Sequence, residues 1–183
     1  MNDYEAVVYD LDGTLVRLDV DWDAVRVAVV DRLRDRDVEV GRHDLWDILD
    51  VAEDHSVSEL VEDTIAEFEQ EGAQGARRLP LADELPLSVP VGVCSLNCEA
   101  ACRIALESHG LDGFVDAVVG RDTVDGHKPD PEPLLHAVDR IGGHPETTLF
   151  VGDSASDQEA AKRAGVAFEY VKDRSGSGEK ETP

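Results

Sequence analysis

Ala6-Val7-Val8-Tyr9-Asp10-Leu11-Asp12-Gly13-Thr14 opens as an unbroken apolar run and stops on two acids separated by one residue. A run apolar at every position suits a parallel strand covered on both faces, where strict alternation would mark a strand with one wet face. In extended backbone Asp10 and Asp12 point to the same side, while Leu11 turns into the core. Gly13 lets the chain turn at once, and the Thr14 hydroxyl can tie that turn. Two carboxylates at one strand tip can divide labour. One stays ionised as nucleophile or metal ligand, and the other holds a proton for a leaving group. Taken alone, the pattern also fits an acidic turn on an acidic surface.

Outward from this strand the period changes. Trp22, Val25, Val29 and Leu33, then Leu45, Ile48 and Leu49, then Leu60, Val61, Ile65 and Phe68 recur at helical spacing. Asp21, Asp44 and Ser56 or Ser58 are candidate N-caps for three helices. Gly72-Ala73-Gln74-Gly75 ends the block. Beyond it strands and helices alternate: a strand over 89–94, a helix over 98–109, a strand over 117–119, a helix over 131–141, a strand over 148–151, a helix over 158–164 and a strand over 166–171. This order predicts an α/β fold, a doubly wound parallel sheet of Rossmann-like type, with a small all-helical cap inserted after the first strand. The expected division is 1–17 with 77–172 as the α/β catalytic core, 18–76 as the cap, and 173–183 as a disordered tail. A cap leaving the chain there lies over the carboxyl edge of the sheet, where open α/β sheets bind ligands, and can exclude water.

Composition narrows the partners. Asp plus Glu number 41 against 17 Lys plus Arg, a formal charge of −24 over 183 residues. Such a field repels nucleic acid and anionic lipid, so neither is an expected partner. No apolar stretch is long enough for a membrane span, and the first residues carry no leader pattern, which makes the cytoplasm the expected location. Lysine is confined to Lys128, Lys162, Lys172 and Lys180. This carboxylate-rich, lysine-poor profile resembles that of proteins from salt-loving archaea, where molar salt shrinks the Debye length to roughly 3 Å and quiets self-repulsion. The Tm is therefore expected to rise with added KCl, and a Tm unmoved by KCl would count against the comparison. Cys94, Cys98 and Cys102 cannot all pair with one another, and they lack the ligand set of a zinc site. They are expected as small buried apolar groups.

Three more elements carry chemistry. Gly152-Asp153-Ser154-Ala155-Ser156-Asp157 follows another apolar strand, with Asp153 at its tip and Asp157 a helical turn on. Should that strand lie beside the first, three or four carboxylates converge, which is costly without a cation. Hard oxygen ligands beside an expected phosphate favour Mg²⁺, and no EF-hand loop is present. Lys128, in Gly126-His127-Lys128-Pro129-Asp130-Pro131, offers a fixed ammonium to neutralise a transferring phosphoryl group; alone it also fits a surface lysine in a turn. Ser95, with the backbone N–H groups of Leu96 and Asn97, forms a candidate phosphate cradle, although a serine N-cap has the same appearance.

Together these four elements resemble the haloacid dehalogenase-like hydrolase superfamily over Val7–Val171, with Asp10 to Leu15, Ser95, Lys128-Pro129 and Gly152-Asp153 to Asp157 as its motifs. The stretches around Lys128 and Gly152 look like the phosphoglycolate phosphatase-like branch, which carries a helical cap. The resemblance implies that Asp10 attacks phosphorus and that Asp12 is the acid and then the base. It further implies that Mg²⁺ sits on Asp10, the Asp12 backbone carbonyl and Asp153, with Asp157 as a ligand or support. Ser95, Leu96, Asn97 and Lys128 hold phosphoryl oxygens. Asp12 also separates phosphatases from the dehalogenases of the superfamily. The sequence departs from the pattern where Leu96 replaces the usual Asn, displacing Asn97 by one, and where Leu15-Val16-Arg17-Leu18-Asp19 replaces the usual Asp-Ser segment. The cap is short, which suits either a large substrate or a second subunit as lid. The implied function is hydrolysis of a small phosphorylated metabolite. A phosphomutase with the same chemistry and a non-enzymatic phosphate-sensing or partner-binding protein stand as alternatives.

Overall fold

The computed structural model describes residues 4–38, 48 and 57–175. Its first strand, β1 (Ala6–Tyr9), is buried at all four positions, and the topology gives the reason. A two-stranded ribbon, β2 (Val16–Arg17) against β3 (Arg77–Arg78), stands apart. The main sheet is completed by β4 (Val91–Cys94), β5 (Ala117–Val119), β6 (Thr148–Gly152) and β7 (Ala167–Tyr170), in the order β5-β4-β1-β6-β7. All four pairings are parallel and β1 is central, with Val7 opposite both Val91 and Leu149.

Alternate residues of β1 feed two apolar layers. Val7 and Tyr9 pack with Ala101, Cys102, Ala105 and Leu106 of a helix over Glu99–Ser108 on one face. Ala6 and Val8 meet Leu134, Ala137 and Val138 of a helix over Glu132–Arg140, together with Ala161 of one over Ala155–Ala164, on the other. A sheet covered on both sides is the doubly wound arrangement expected from the apolar run. Each fully buried Val or Leu contributes about 1.5–3 kcal/mol.

In the cap, α1 (Trp22–Arg34) starts where Asp21 accepts a hydrogen bond from Ala24 N–H. Next come α2 (Ser58–Gln74) and the core helices α3 (Glu99–Ser108), α4 (Glu132–Arg140) and α5 (Ala155–Ala164). Val25, Val29 and Leu33 of α1 pack on Val61 and Ile65 of α2, with Val38 and Ile48, as a core separate from those of the sheet. The far end of α2 joins the main core through Ala73. The ribbon β2–β3 brackets the segment, bringing its two crossings together.

Some local expectations change. Ser58 is the first residue of α2 and its N-cap is Val57, which offers no side-chain bond; the Asp44 and Ser56 caps lie outside the described residues. Helix α5 begins at Ala155, three residues before the expected start. Ser154 and Asp157 form a reciprocal capping box that satisfies the first turn. Val171–Ser175 form a short helix, α6, in which Arg174 pairs with Glu84 and Glu169; the expected disordered tail lies, from residue 176 on, outside the described residues. Among the described residues no helix is long and apolar enough to cross a membrane.

Candidate active site

The carboxyl ends of β1, β4 and β6 open on one cavity of about 190 Å³. Its lining includes Asp10, Asp12, Trp22, Glu69, Ser95, Leu96, Asn97, Lys128, Asp153, Ser154 and Asp157. Asp10 continues β1 by one residue, its N–H donating to Val151 O (2.9 Å). Immediately afterwards the chain folds back, as the Thr14, Leu15 and Val16 N–H groups all reach Leu11 O. Gly13 is required there. It holds φ +90°, and a Cβ on it would fall 2.0 Å from Asp153 Oδ2. Gly13→Ala is therefore expected to cost about 1–2 kcal/mol from the backbone alone and to push Asp153 aside. Urea unfolding with a parallel Mg²⁺ titration should show both losses.

Lys128 is the hub. Its ammonium, nearly inaccessible to water, donates to Asp10 Oδ1 (2.8 Å), Asp157 Oδ1 (2.5 Å) and Cys94 O (3.1 Å). The other Asp157 oxygen accepts from the Ser154 N–H (3.0 Å) and hydroxyl (2.6 Å). Asp10 Oδ2 accepts from Thr14 Oγ1 (3.3 Å). One ammonium thus faces two buried carboxylates, and the imbalance shows in protonation. Burial pushes the Asp10 carboxyl up to about 7, with Lys128 opposing and Asp157 and Asp153 adding to the rise. The pKa of Lys128 is raised by the same carboxylates despite its burial, so it stays charged. Asp153 is also raised, by burial and by Asp157.

Asp10, Asp153 and Asp157 each bring a carboxylate oxygen within 4.8 Å of the others. A small octahedral ion with ligands at about 2.1 Å spaces its oxygens roughly 3–4 Å apart, so small side-chain shifts suffice to close this set around Mg²⁺. The donor chemistry and the excess negative charge both fit the ion. Both Asp157 oxygens are engaged, by Lys128 and by Ser154. The Asp12 carboxylate lies outside the cluster: it accepts from Leu18 N–H (3.0 Å) and faces Arg17 (3.6 Å). Burial raises its pKa, partly offset by the Leu18 N–H and Arg17.

Ser95 follows β4 directly, and its hydroxyl exchanges hydrogen bonds with Asn97, donating to Oδ1 (3.1 Å) and accepting from the N–H (3.2 Å). In this arrangement the Asn97 N–H points at Ser95 rather than into the cavity. The Asn97 amide donates to Glu69 of α2 (3.1 Å). Cys94, Cys98 and Cys102 are buried and unpaired, as expected of apolar fillers. Four residues at or near the site were not singled out in the sequence: Arg17, Trp22 in this role, Glu69 and Arg121. Glu69 had a readable signal. Val61, Ile65, Glu69 and Ala73 recur every four residues, and an acid in an apolar stripe announces a buried partner.

Residues 81–171 match the family model described as haloacid dehalogenase-like hydrolase. A phosphoglycolate phosphatase of Rhodospirillum rubrum is 42% identical over 78 residues, 43% of this chain and 32% of that protein. The chain thus matches about a third of the length of such curated relatives. A haloacid dehalogenase-superfamily hydrolase, subfamily IA, variant 1, from Geobacter sulfurreducens is 26% identical with TM-score 0.59, covering 90% of this chain and 88% of that one. For a hydrolase from Pseudomonas syringae the identity is 21% and the TM-score 0.65, covering 90% and 83%, which bears on fold alone. Over residues 81–171 the chain is thus similar to the haloacid dehalogenase-like hydrolases, and the curated relatives it matches include phosphoglycolate phosphatases.

Proposed function

We propose that this chain is a Mg²⁺-dependent phosphatase that hydrolyses a small phosphate monoester through an aspartyl phosphate on Asp10. The observation that carries the reading is the meeting of Asp10, Asp12, Asp153 and Lys128 at one strand edge around a single cavity. An Asp10 oxygen attacks phosphorus while Asp12, its pKa raised by burial, gives its proton to the leaving oxygen. Asp12 then takes a proton from water, which attacks the phosphoryl group and regenerates Asp10. Lys128 holds Asp10 in line and balances the charge of the transferring group. Asp10, Asp153 and the Asp12 backbone carbonyl would hold the Mg²⁺, which supplies further neutralisation of phosphoryl oxygens. Asp157 fixes Lys128 and the loop of Asp153.

The cavity, below the ~300 Å³ typical of drug-sized ligand sites, supports a small metabolite over a large one. The −24 charge argues against nucleic acid as substrate. Incubation with an aryl phosphate should release inorganic phosphate with Mg²⁺ and stop on chelation, at low and high KCl alike. Release that persists in chelator would contradict the metal role.

A pH dependence follows from Asp10. Its folded pKa of about 7 lies above the ordinary value of 3.8, so the folded state binds the extra proton. That stabilisation is complete below about pH 4 and is lost as pH rises through 7. Without divalent cation, Tm is expected to fall between pH 5 and pH 8 by more in wild type than in Asp10→Asn, and Mg²⁺ should flatten the difference. Equal slopes in the two proteins would contradict it.

A further inference from the structure

Glu69 stands where the stripe of α2 calls for an apolar side chain, and it is fully buried. A carboxylate survives there only with partners. Its Oε1 accepts from Asn97 Nδ2 (3.1 Å) and Arg121 Nη1 (2.8 Å), and its Oε2 from Cys98 N–H (2.9 Å) and Arg121 Nη2 (3.2 Å). Arg121, in the loop after β5, also donates to Leu96 O (2.7 Å) and to Glu62 (2.8 Å), and its own N–H reaches Asn97 O (2.9 Å). Leu96, Asn97 and Cys98 are each gripped by one or both members of this pair. The grip joins three separate segments: the cap helix, the loop after β4 and the loop after β5. Glu69 also lines the cavity, where an unneutralised carboxylate would repel a phosphoryl anion. The guanidinium of Arg121 cancels that charge.

We propose that Glu69 and Arg121 are positioning residues that give the loop Ser95–Cys98 its phosphate-binding shape only while α2 is seated on it. Seating of the cap helix and binding of phosphate are then one linked equilibrium. The inference rests on the phosphatase reading of the site, and its test separates the two.

Cys98 reports the seating. It is 1% exposed beneath α2, with its thiol against Ala66 O, whereas Cys94 and Cys102 lie at 0% in the sheet core. A maleimide, with the labelled cysteine located by mass spectrometry, therefore distinguishes local lifting of α2 from global unfolding. With Mg²⁺ present and inorganic phosphate at ten times its dissociation constant, Cys98 labelling in wild type is expected to slow about tenfold. In Glu69→Gln and Arg121→Lys, Cys98 should label faster and gain less than about twofold protection. Phosphate affinity should fall, and KM for an aryl phosphate rise, by about tenfold, with a smaller change in kcat. Variants that lose Tm but keep wild-type phosphate affinity would overturn the proposal. So would wild-type Cys98 that labels equally fast with and without phosphate, and that arm decides the matter if the variants do not fold. Phosphate protection without aryl phosphate hydrolysis would sink the phosphatase reading and leave the coupling standing; hydrolysis without protection would do the reverse. Failure of wild type to bind phosphate overturns both.

Discussion

Asp10→Asn is expected to abolish phosphate release, lowering kcat by about 10⁴-fold or more, while leaving the protein folded and, without metal, more stable. The loss is large because no other group takes over a covalent step whose nucleophile is gone. An amide has the shape of the carboxylate; its oxygen can accept from Lys128 and its NH2 can donate to the Thr14 hydroxyl, so the loop after β1 has no reason to move. The stability gain comes from charge. In wild type two buried carboxylates, Asp10 and Asp157, share one ammonium, and removing one negative charge leaves a balanced pair. Weaker Mg²⁺ binding should accompany the change, since Asp10 belongs to the carboxylate cluster. Circular dichroism, a metal titration and steady-state kinetics on one preparation check all three. Activity within about a hundredfold of wild type would mean that another group attacks phosphorus.

Lys128→Met should cost less in turnover than Asp10→Asn and be far worse for the fold. Met keeps the stem and loses the ammonium, and with it the charge and the three hydrogen bonds it donates. Side chains of Lys128, Asp10 and Asp157 are 2%, 7% and 0% exposed, so water cannot replace the ammonium. Breaking a buried pair of this kind costs about 3–5 kcal/mol, and loss of a preorganised charge at the transferring group costs about 10²–10³ in kcat. Mg²⁺ should recover part of the Tm, because a second cation reaches the same carboxylates, but little of the rate. If Tm drops and kcat does not, Lys128 is a structural counter-ion only.

What the sequence announced and what it withheld divide along physical lines. The covered strand was legible from four apolar residues, because burial on both faces leaves no polar position. The sheet order was not, since nothing local says that β1 lies between β4 and β6. Turn chemistry exposed the acidic loops at Asp10 and Asp153. The helix after Asp153 starts three residues before the expected position, because Asp157 serves as the capping partner of Ser154 as well as facing Lys128. Lys128 meets Asp10 across 118 residues, so its motif could mark it without giving the distance. Glu69 and Arg121, 52 residues apart, carried no motif. Their burial depends on each other and on the loop over 96–98, both far along the chain, and only the broken apolar stripe of α2 hinted at it.

The most direct measurement is of covalent phosphate on Asp10. Wild-type protein turning over an aryl phosphate with Mg²⁺, quenched in acid and digested, should carry a phosphoryl group on the peptide containing Asp10. Hydroxylamine should remove it, and Asp10→Asn should show none. Sustained turnover in which that peptide is never phosphorylated, or in which the group sits on another residue, would contradict the account.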